Sequence, residues 1–307
     1  MSLTGNRDFT VAMYRKLLLA LKESGYAFQT FEEYSLSPGK KIVIMRHDVD
    51  RRAQNALRLA EIESEMGIKG SYHFRAVRSS NVPEIIRHIA GLGHEIAYHY
   101  EDMSLAAKMA VKALSRPEEE LAARAFESFR ANLAYFRTFY PVRVISMHGS
   151  PAKRIDNRLV WKYFDYHECD IVCEPYFDLD YSDMLYLTDT GRRWNGERYN
   201  IRDKALTGGS NRGDMGISTW KVKPVSGSLL NMTNDALELS VRYKIHSTKE
   251  IISLAGSGAL PDKLVINTHP QRWNDALFPW INELLLQFIK NQLKRSIIKY
   301  KGRKTIN

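Results

Sequence analysis

Cysteine is scarce: the 307 residues hold two, Cys169 and Cys173. Their spacing is not that of a C-x-x-C redox or zinc pair, so the chain has no disulfide framework and no cysteine-built metal site. Long apolar runs are missing too. No stretch free of charged residues reaches the ~18 residues of a membrane-spanning helix, and the opening MSLTGNRDFT lacks the apolar core of a secretory leader. A cytoplasmic protein with buried thiols is the expectation. Internal repeats and low-complexity segments are likewise absent. Acidic residues are missing from one place, 290 to 307, where Lys290, Lys294, Arg295, Lys299, Lys301, Arg303 and Lys304 account for most of the formal charge of +10. The rest of the chain is near neutral and carries no recognised binding motif, which argues against nucleic acid as a partner.

A hydrophobic content of 44% with 11% aromatics excludes a disordered or collagen-like chain. The length would allow two domains, but α/β barrels commonly run to ~250 residues as one unit. One catalytic domain over 1–307 is therefore expected, with a core at about 40–290, a helical segment at 8–36 and a basic tail at 290–307. Seven short β-rich runs stand out: KIVIM (41–45), SYHFR (71–75), EIAYH (95–99), RVISM (143–147), DIVC (170–173), MLYLT (184–188) and KLVINT (263–268). Between the first two, Ala53, Ala56, Leu57 and Ala60 recur at helical spacing, and Met66-Gly67 marks the stop. Before RVISM, Ser115-x-x-Glu118 has the spacing of a capping box, followed by the stripe Leu121, Ala125, Phe126, Phe129, Leu133 and Phe136. Strands alternating with helices predict parallel pairing, and seven of them predict a barrel. The stretch 191–223 fits no period and reads as a long loop or lid, with WKV at 220–222 as an extra strand.

The polar residues of interest fall at the ends of these runs. KIVIM leads into Arg46-His47-Asp48-Val49-Asp50, EIAYH ends on His99, RVISM leads into His148, DIVC into Glu174, MLYLT into Asp189 and KLVINT into His269. In a barrel of parallel strands those ends converge on one face, where such folds keep their chemistry. Two carboxylates as close as Asp48 and Asp50 repel unless a cation lies between or beside them. His99 and His148 are suitable companions around a divalent ion, and three protein ligands leave a position open for water. His269 would then move protons. Taken singly, each of these residues is more ordinary as a turn, a cap or a hydrogen-bonded histidine; it is their recurrence at one end of successive strands that points to a site. His47 and His73 are placed as supports for the ligands.

RHDVD after a strand, GHEIAYH about fifty residues later and a late strand-end His-Pro resemble the NodB-homology polysaccharide deacetylases. That resemblance implies a deformed (β/α)7 barrel in which one Asp and two His hold a divalent metal, a second Asp is the base and a late His is the acid. It assigns His99 as a ligand and His269 as the acid. Asp48 is taken as the base and Asp50 as the ligand, an assignment open to exchange because Val49 separates the two where the family has adjacent aspartates. Met103 stands where the family has a further His, so His148 is expected to complete the ligands, with Glu101 and Asp102 in reserve. Zinc is the expected metal, with Co, Ni or Mn as alternatives. Asp189, Arg192, Arg193 and Trp194, together with Arg272 and Trp273, are expected to steady the catalytic groups and bind substrate.

The resemblance implies removal of an acetyl group from an N- or O-acetylated sugar in cell-surface polysaccharide biosynthesis, with an anionic or lipid-linked glycan as the expected partner. Two alternatives stand beside it: a non-catalytic carbohydrate-binding or scaffold barrel, and a metal-dependent amidase or phosphoesterase. The basic tail suggests peripheral contact with the inner membrane surface.

Overall fold

The computed structural model describes residues 7–109, 117–149, 155–194, 220–225 and 242–304, with side chains as far as residue 292. The chain folds into an incompletely closed α/β barrel whose strands are all parallel. Strands β2 (Ile42–Val49), β3 (Ser71–Phe74), β4 (Glu95–Tyr100), β5 (Ile145–Met147), β6 (Met184–Thr188) and β7 (Lys263–Thr268) pair in the order β5-β4-β3-β2-β7-β6, and the two-residue β1 (Ala27–Phe28) pairs with the start of β2. The expected deformed seven-stranded barrel is found, but its membership differs. DIVC forms only the isolated bridge Val144–Cys173, and β1 interrupts the segment 8–36 between helices α1 (Val11–Glu23) and α2 (Phe31–Leu36).

Helices separate the strands as parallel pairing requires. The first, α3 (Ala53–Glu65), buries Ala53, Ala56, Leu57 and Ala60, and the chain turns away through Gly67 at φ +67°. Next come α4 (Pro83–Gly91) and α5 (Asp102–Met109), then α6 (Glu118–Phe136), which buries Leu121, Ala125, Phe129, Leu133 and Phe136. The proposed cap at Ser115 lies outside the described residues, as does most of the loop 191–223. WKV forms no strand: Trp220 and Val222 are buried, and the backbone of Lys221 and Val222 bonds to Lys162 and Trp161.

The alternation along β2 positions the site. Ile42 and Ile44 join the apolar cluster that includes α3, α4 and α6, while Val43 and Met45 join a second cluster with α1 and the helix Thr248–Gly256. By the period of two, Arg46 and Asp48 continue the first set and His47 the second. β2 runs four residues further than the apolar run KIVIM, to Val49, because buried partners pair its polar end. Asp48 thus lies inside the strand, and Asp50 just past it.

Candidate metal centre and acid-base site

Asp48 is held from two sides. Arg46 donates to both of its carboxylate oxygens, at 2.8 and 3.2 Å, and Asn267 on β7 donates at 2.9 Å. Burial would raise its pKa, but the Arg46 guanidinium, with smaller contributions from His99, His269 and His73, holds the carboxyl well below the usual range. Asp48 is therefore a permanent carboxylate, and Arg46, fully buried, depends on it for its counter-charge.

Asp50 is different. Its Oδ1 is buried without a hydrogen-bond partner, and three imidazoles surround the carboxylate. His148 Nε2 lies 3.4 Å from Oδ1, and His269 Nε2 lies 3.9 Å from Oδ2. Burial raises Asp50, but His148, His269 and His99 outweigh it and lower the pKa. His99 Nδ1 donates to the Ser146 carbonyl at 2.9 Å, which fixes the tautomer and leaves the Nε2 lone pair free, 3.9 Å from Asp48. Burial lowers His99 to about 4, so this ring is neutral. His148 Nδ1 lies 3.2 Å from Glu101, which Arg75 in turn clamps. Its Nε2 is then also free to ligate.

Two sets of three bring one ligand atom each to within 4.8 Å of one another: Asp50, His99 and His148, and Asp48, His73 and His99. The first fits a divalent cation. It offers a carboxylate oxygen with no hydrogen bond and two imidazoles whose Nδ1 atoms are engaged from behind, an N,N,O set suited to zinc or a similar ion. The second would set a cation beside the Arg46 guanidinium, which already occupies Asp48, and Coulomb repulsion disfavours it.

His269 faces the same space with a partner behind it. Its Nδ1 lies 2.6 Å from Asp189 Oδ1, and its backbone N–H donates to Oδ2 at 2.9 Å. Asp189 is fully buried. Burial raises its pKa, and Arg272 and His269 more than offset this to lower it. Arg272 also bonds the Asp189 carbonyl at 2.8 Å, and the Trp273 indole donates to Oδ2 at 2.9 Å. Carboxylate and imidazole thus form an oriented dyad whose Nε2 points at Asp50.

The structure brings Asp48, Asp50, His99, His148, His269 and Asp189 together, with Arg272 and Trp273 behind Asp189. Trp273 is buried and serves as a hydrogen-bond donor rather than a pocket wall. Other expected substrate contacts are not brought to the cluster. Trp194 is buried against Phe9 and Trp273 and donates to Thr248. Arg192 adopts φ +57°, stacks on Trp280 and Phe9 and donates to the Trp280 carbonyl. Arg193 is exposed.

Glu174 does not join the site either. It caps the short helix α7 (Pro175–Asp178) and accepts from Met147 N–H, and burial raises its pKa to about 7. Asp102 is buried among Tyr98, Ser128 and Asn132, and Met103 is core. His47 points away from Asp48 and bonds Glu63 and Thr268, so it does not support the ligands. Sequence reasoning missed the roles of Arg46, Arg75 and Asn267. The parity of Arg46 with Asp48 was the one available signal, whereas Arg75 and Asn267 act across strands.

No protein-family profile matches this sequence, and no curated protein matches it. Three solved structures are similar over much of their length. One is the Streptococcus pyogenes deacetylase PplD in complex with acetate, at 14% identity over 52% of this chain and 74% of that one, with a TM-score of 0.36. The second is a mutant of BA3943, described as a CE4 family pseudoenzyme with restored activity, at 9% identity over 77% and 70%, TM-score 0.35. The third is a mutant of the Bacillus subtilis peptidoglycan deacetylase PdaC, at 9% identity over 85% and 98%, TM-score 0.33. Similarity at this distance transfers no residue role and no substrate to this chain.

Proposed function

We propose that this protein is a metal-dependent hydrolase that removes an acetyl group from an N- or O-acetylated sugar. The observation that carries the reading is the convergence of three one-sided ligands, Asp50, His99 and His148, on a space that the Asp189-oriented His269 also faces, 3.9 Å from Asp50. A divalent ion held by those three residues would supply Lewis acidity and lower the pKa of water towards ~7. Asp48, kept ionised by Arg46, accepts a proton from the attacking water. His269 in its protonated form holds one proton on Nδ1 against Asp189 and gives the other, from Nε2, to the departing sugar amine. Water and amide thus become acetic acid and free amine; the acid ionises in solvent, and the proton gained by Asp48 is exchanged through solvent for the one lost by His269, which restores both groups.

In this reading residues 1–307 act as one catalytic unit. The two cysteines, both free, fit a reducing compartment. The experiment is elemental analysis of the purified protein beside His99→Ala, with acetate release from acetylated chito-oligosaccharides measured on both. The parent is expected to hold one divalent ion and to release acetate. His99→Ala is expected to lose both. Full metal occupancy in the variant would overturn the ligand set, and a metal-loaded parent that releases no acetate from any acetylated sugar would favour the binding or scaffold alternative.

A further inference from the structure

The C-terminal helix Leu277–Lys304 sits on the protein with its polarity reversed. The fully buried side chains on its inner face are polar: Glu283 and Gln287 are buried, Glu283 pairs with Arg51 at 2.8 Å, and Asn291 donates to the Gly191 carbonyl at 3.1 Å, beside the half-buried Trp280, whose indole donates to the Asp8 carbonyl. Most of its apolar side chains point out. Leu277, Phe278, Ile281, Leu284, Leu285, Phe288 and Ile289 recur at three- and four-residue spacing, and all are exposed, Phe278 at 82%, Phe288 at 60% and Leu285 at 57%. An amphipathic helix in water normally does the opposite. A contiguous apolar stripe of this length marks a contact surface.

We infer that this stripe docks on an anionic lipid surface, with the apolar residues entering the headgroup-acyl boundary. Charge selects the occupant. From 290 to 307 the chain has seven Lys or Arg and no acid, which suits an anionic bilayer and opposes close approach of a second copy through the same helix. Among the described residues no helix is long and apolar enough to cross a membrane, so this one lies in the interface.

Its inner face packs against residues that flank the site, Arg51 and Gly191. Arg51 follows Asp50 directly, Gly191 lies two residues past Asp189, and Lys290 is close enough to Arg51 and Asp50 for both to perturb its ammonium, which burial and Arg51 lower. Docking therefore brings the strand ends to within one helix diameter, ~10–12 Å, of the membrane surface. Given the proposed activity, on which the identity of the substrate rests, the molecule delivered there is a glycan carried by lipid rather than a free sugar.

Co-sedimentation of the full chain with phosphatidylcholine vesicles, with and without phosphatidylglycerol, tests this, alongside the double variant Leu285→Asp/Phe288→Asp. Both positions are exposed, so the variant should keep the parent's melting temperature and metal content; Phe278→Ser gives an independent second disruption. The full chain is expected to bind the anionic vesicles, at least tenfold more weakly after the double substitution and more weakly in 1 M salt, where the Debye length falls to ~3 Å. No binding by the parent, or equal binding by the variants, would overturn the inference. So would a parent dimer in sedimentation velocity that the substitutions dissociate, since a second copy would then cover the stripe. Vesicle binding without turnover would sink the hydrolase reading alone, and turnover without vesicle binding would sink the docking alone.

Discussion

Asp48 and Asp50 are two residues apart and chemically unlike, and a pair of substitutions separates them. Asp48 balances a buried guanidinium, so Asp48→Asn leaves Arg46 without its counter-charge. Removing one partner of a buried pair typically costs about 3–5 kcal/mol. The expected outcome for Asp48→Asn is a lowered melting temperature and lost turnover, with metal retained in the folded fraction. Asp50 is partly exposed and its Oδ1 bonds nothing. Asp50→Asn is therefore expected to lose the metal while the metal-free protein unfolds as the metal-free parent does. Melting curves and metal stoichiometry on both variants check this; metal kept by Asp50→Asn and lost by Asp48→Asn would exchange the two roles.

The packing of α1 and α3 on the sheet depends on one carboxylate. Glu63 of α3 accepts from Tyr14 of α1, from Tyr72 of β3 at 2.6 Å and from His47 of β2 at 2.9 Å. The cluster is closed to solvent, and each of its polar groups depends on the others for satisfaction. His94 completes it by accepting from Gly70 N–H at 3.0 Å and bonding the Ala60 carbonyl at 2.9 Å. Gly70 is where these elements meet most tightly: a Cβ there would come within 2.6 Å of Glu63 Oε2 and 3.1 Å of His47 Nε2. Neither partner can retreat without breaking its bonds. Gly70→Ala is expected to destabilise the fold by about 1–3 kcal/mol, the usual range for overpacking. A denaturation midpoint unchanged from the parent's would show that the cluster has slack.

Over the whole molecule, two acids outside the site set a pH dependence of stability. Glu95 and Glu174 are fully buried, and burial raises each from 4.5 to about 7. An acid raised in the folded state binds a proton more readily there than in the unfolded chain, so folding loses stability as pH rises from ~4.5 to ~7 and stays at the lower level above that. A shift of this size corresponds to about 3 kcal/mol for each group. Glu95→Gln removes the charge and keeps an oxygen for the Glu32 N–H, which donates at 2.8 Å. The variant is expected to be more stable than the parent at pH 8, with the gap narrowing towards zero near pH 4.5. Denaturant titrations at both values measure it, and a gap independent of pH would rule out titration of Glu95.

Much of this was legible because it depends on local pattern. The helix Ala53–Glu65 follows from its apolar spacing and Gly67. β6 and β7 coincide with the runs MLYLT and KLVINT. Parallel pairing follows from the alternation of strands and helices, and it is what places Asp48, Asp50, His99, His148, Asp189 and His269 at one end. The tertiary structure decided what depends on neighbours distant in sequence. DIVC has the composition of a strand, but its pairing is limited to the bridge Val144–Cys173 and the Val172 N–H donating to the Arg143 carbonyl at 2.8 Å. Trp194 and Arg192 resemble pocket residues in the sequence, yet Thr248, Phe9 and Trp280 claim them. Asp48 is an Arg-locked carboxylate because Arg46, and Asn267 across 219 positions, donate to it, whereas Asp50 faces His148 at 3.4 Å with no hydrogen bond at its Oδ1. Sequence determines which residue types stand at each strand end; a charge, a tautomer or a free lone pair is set by whatever the fold brings within about 4 Å.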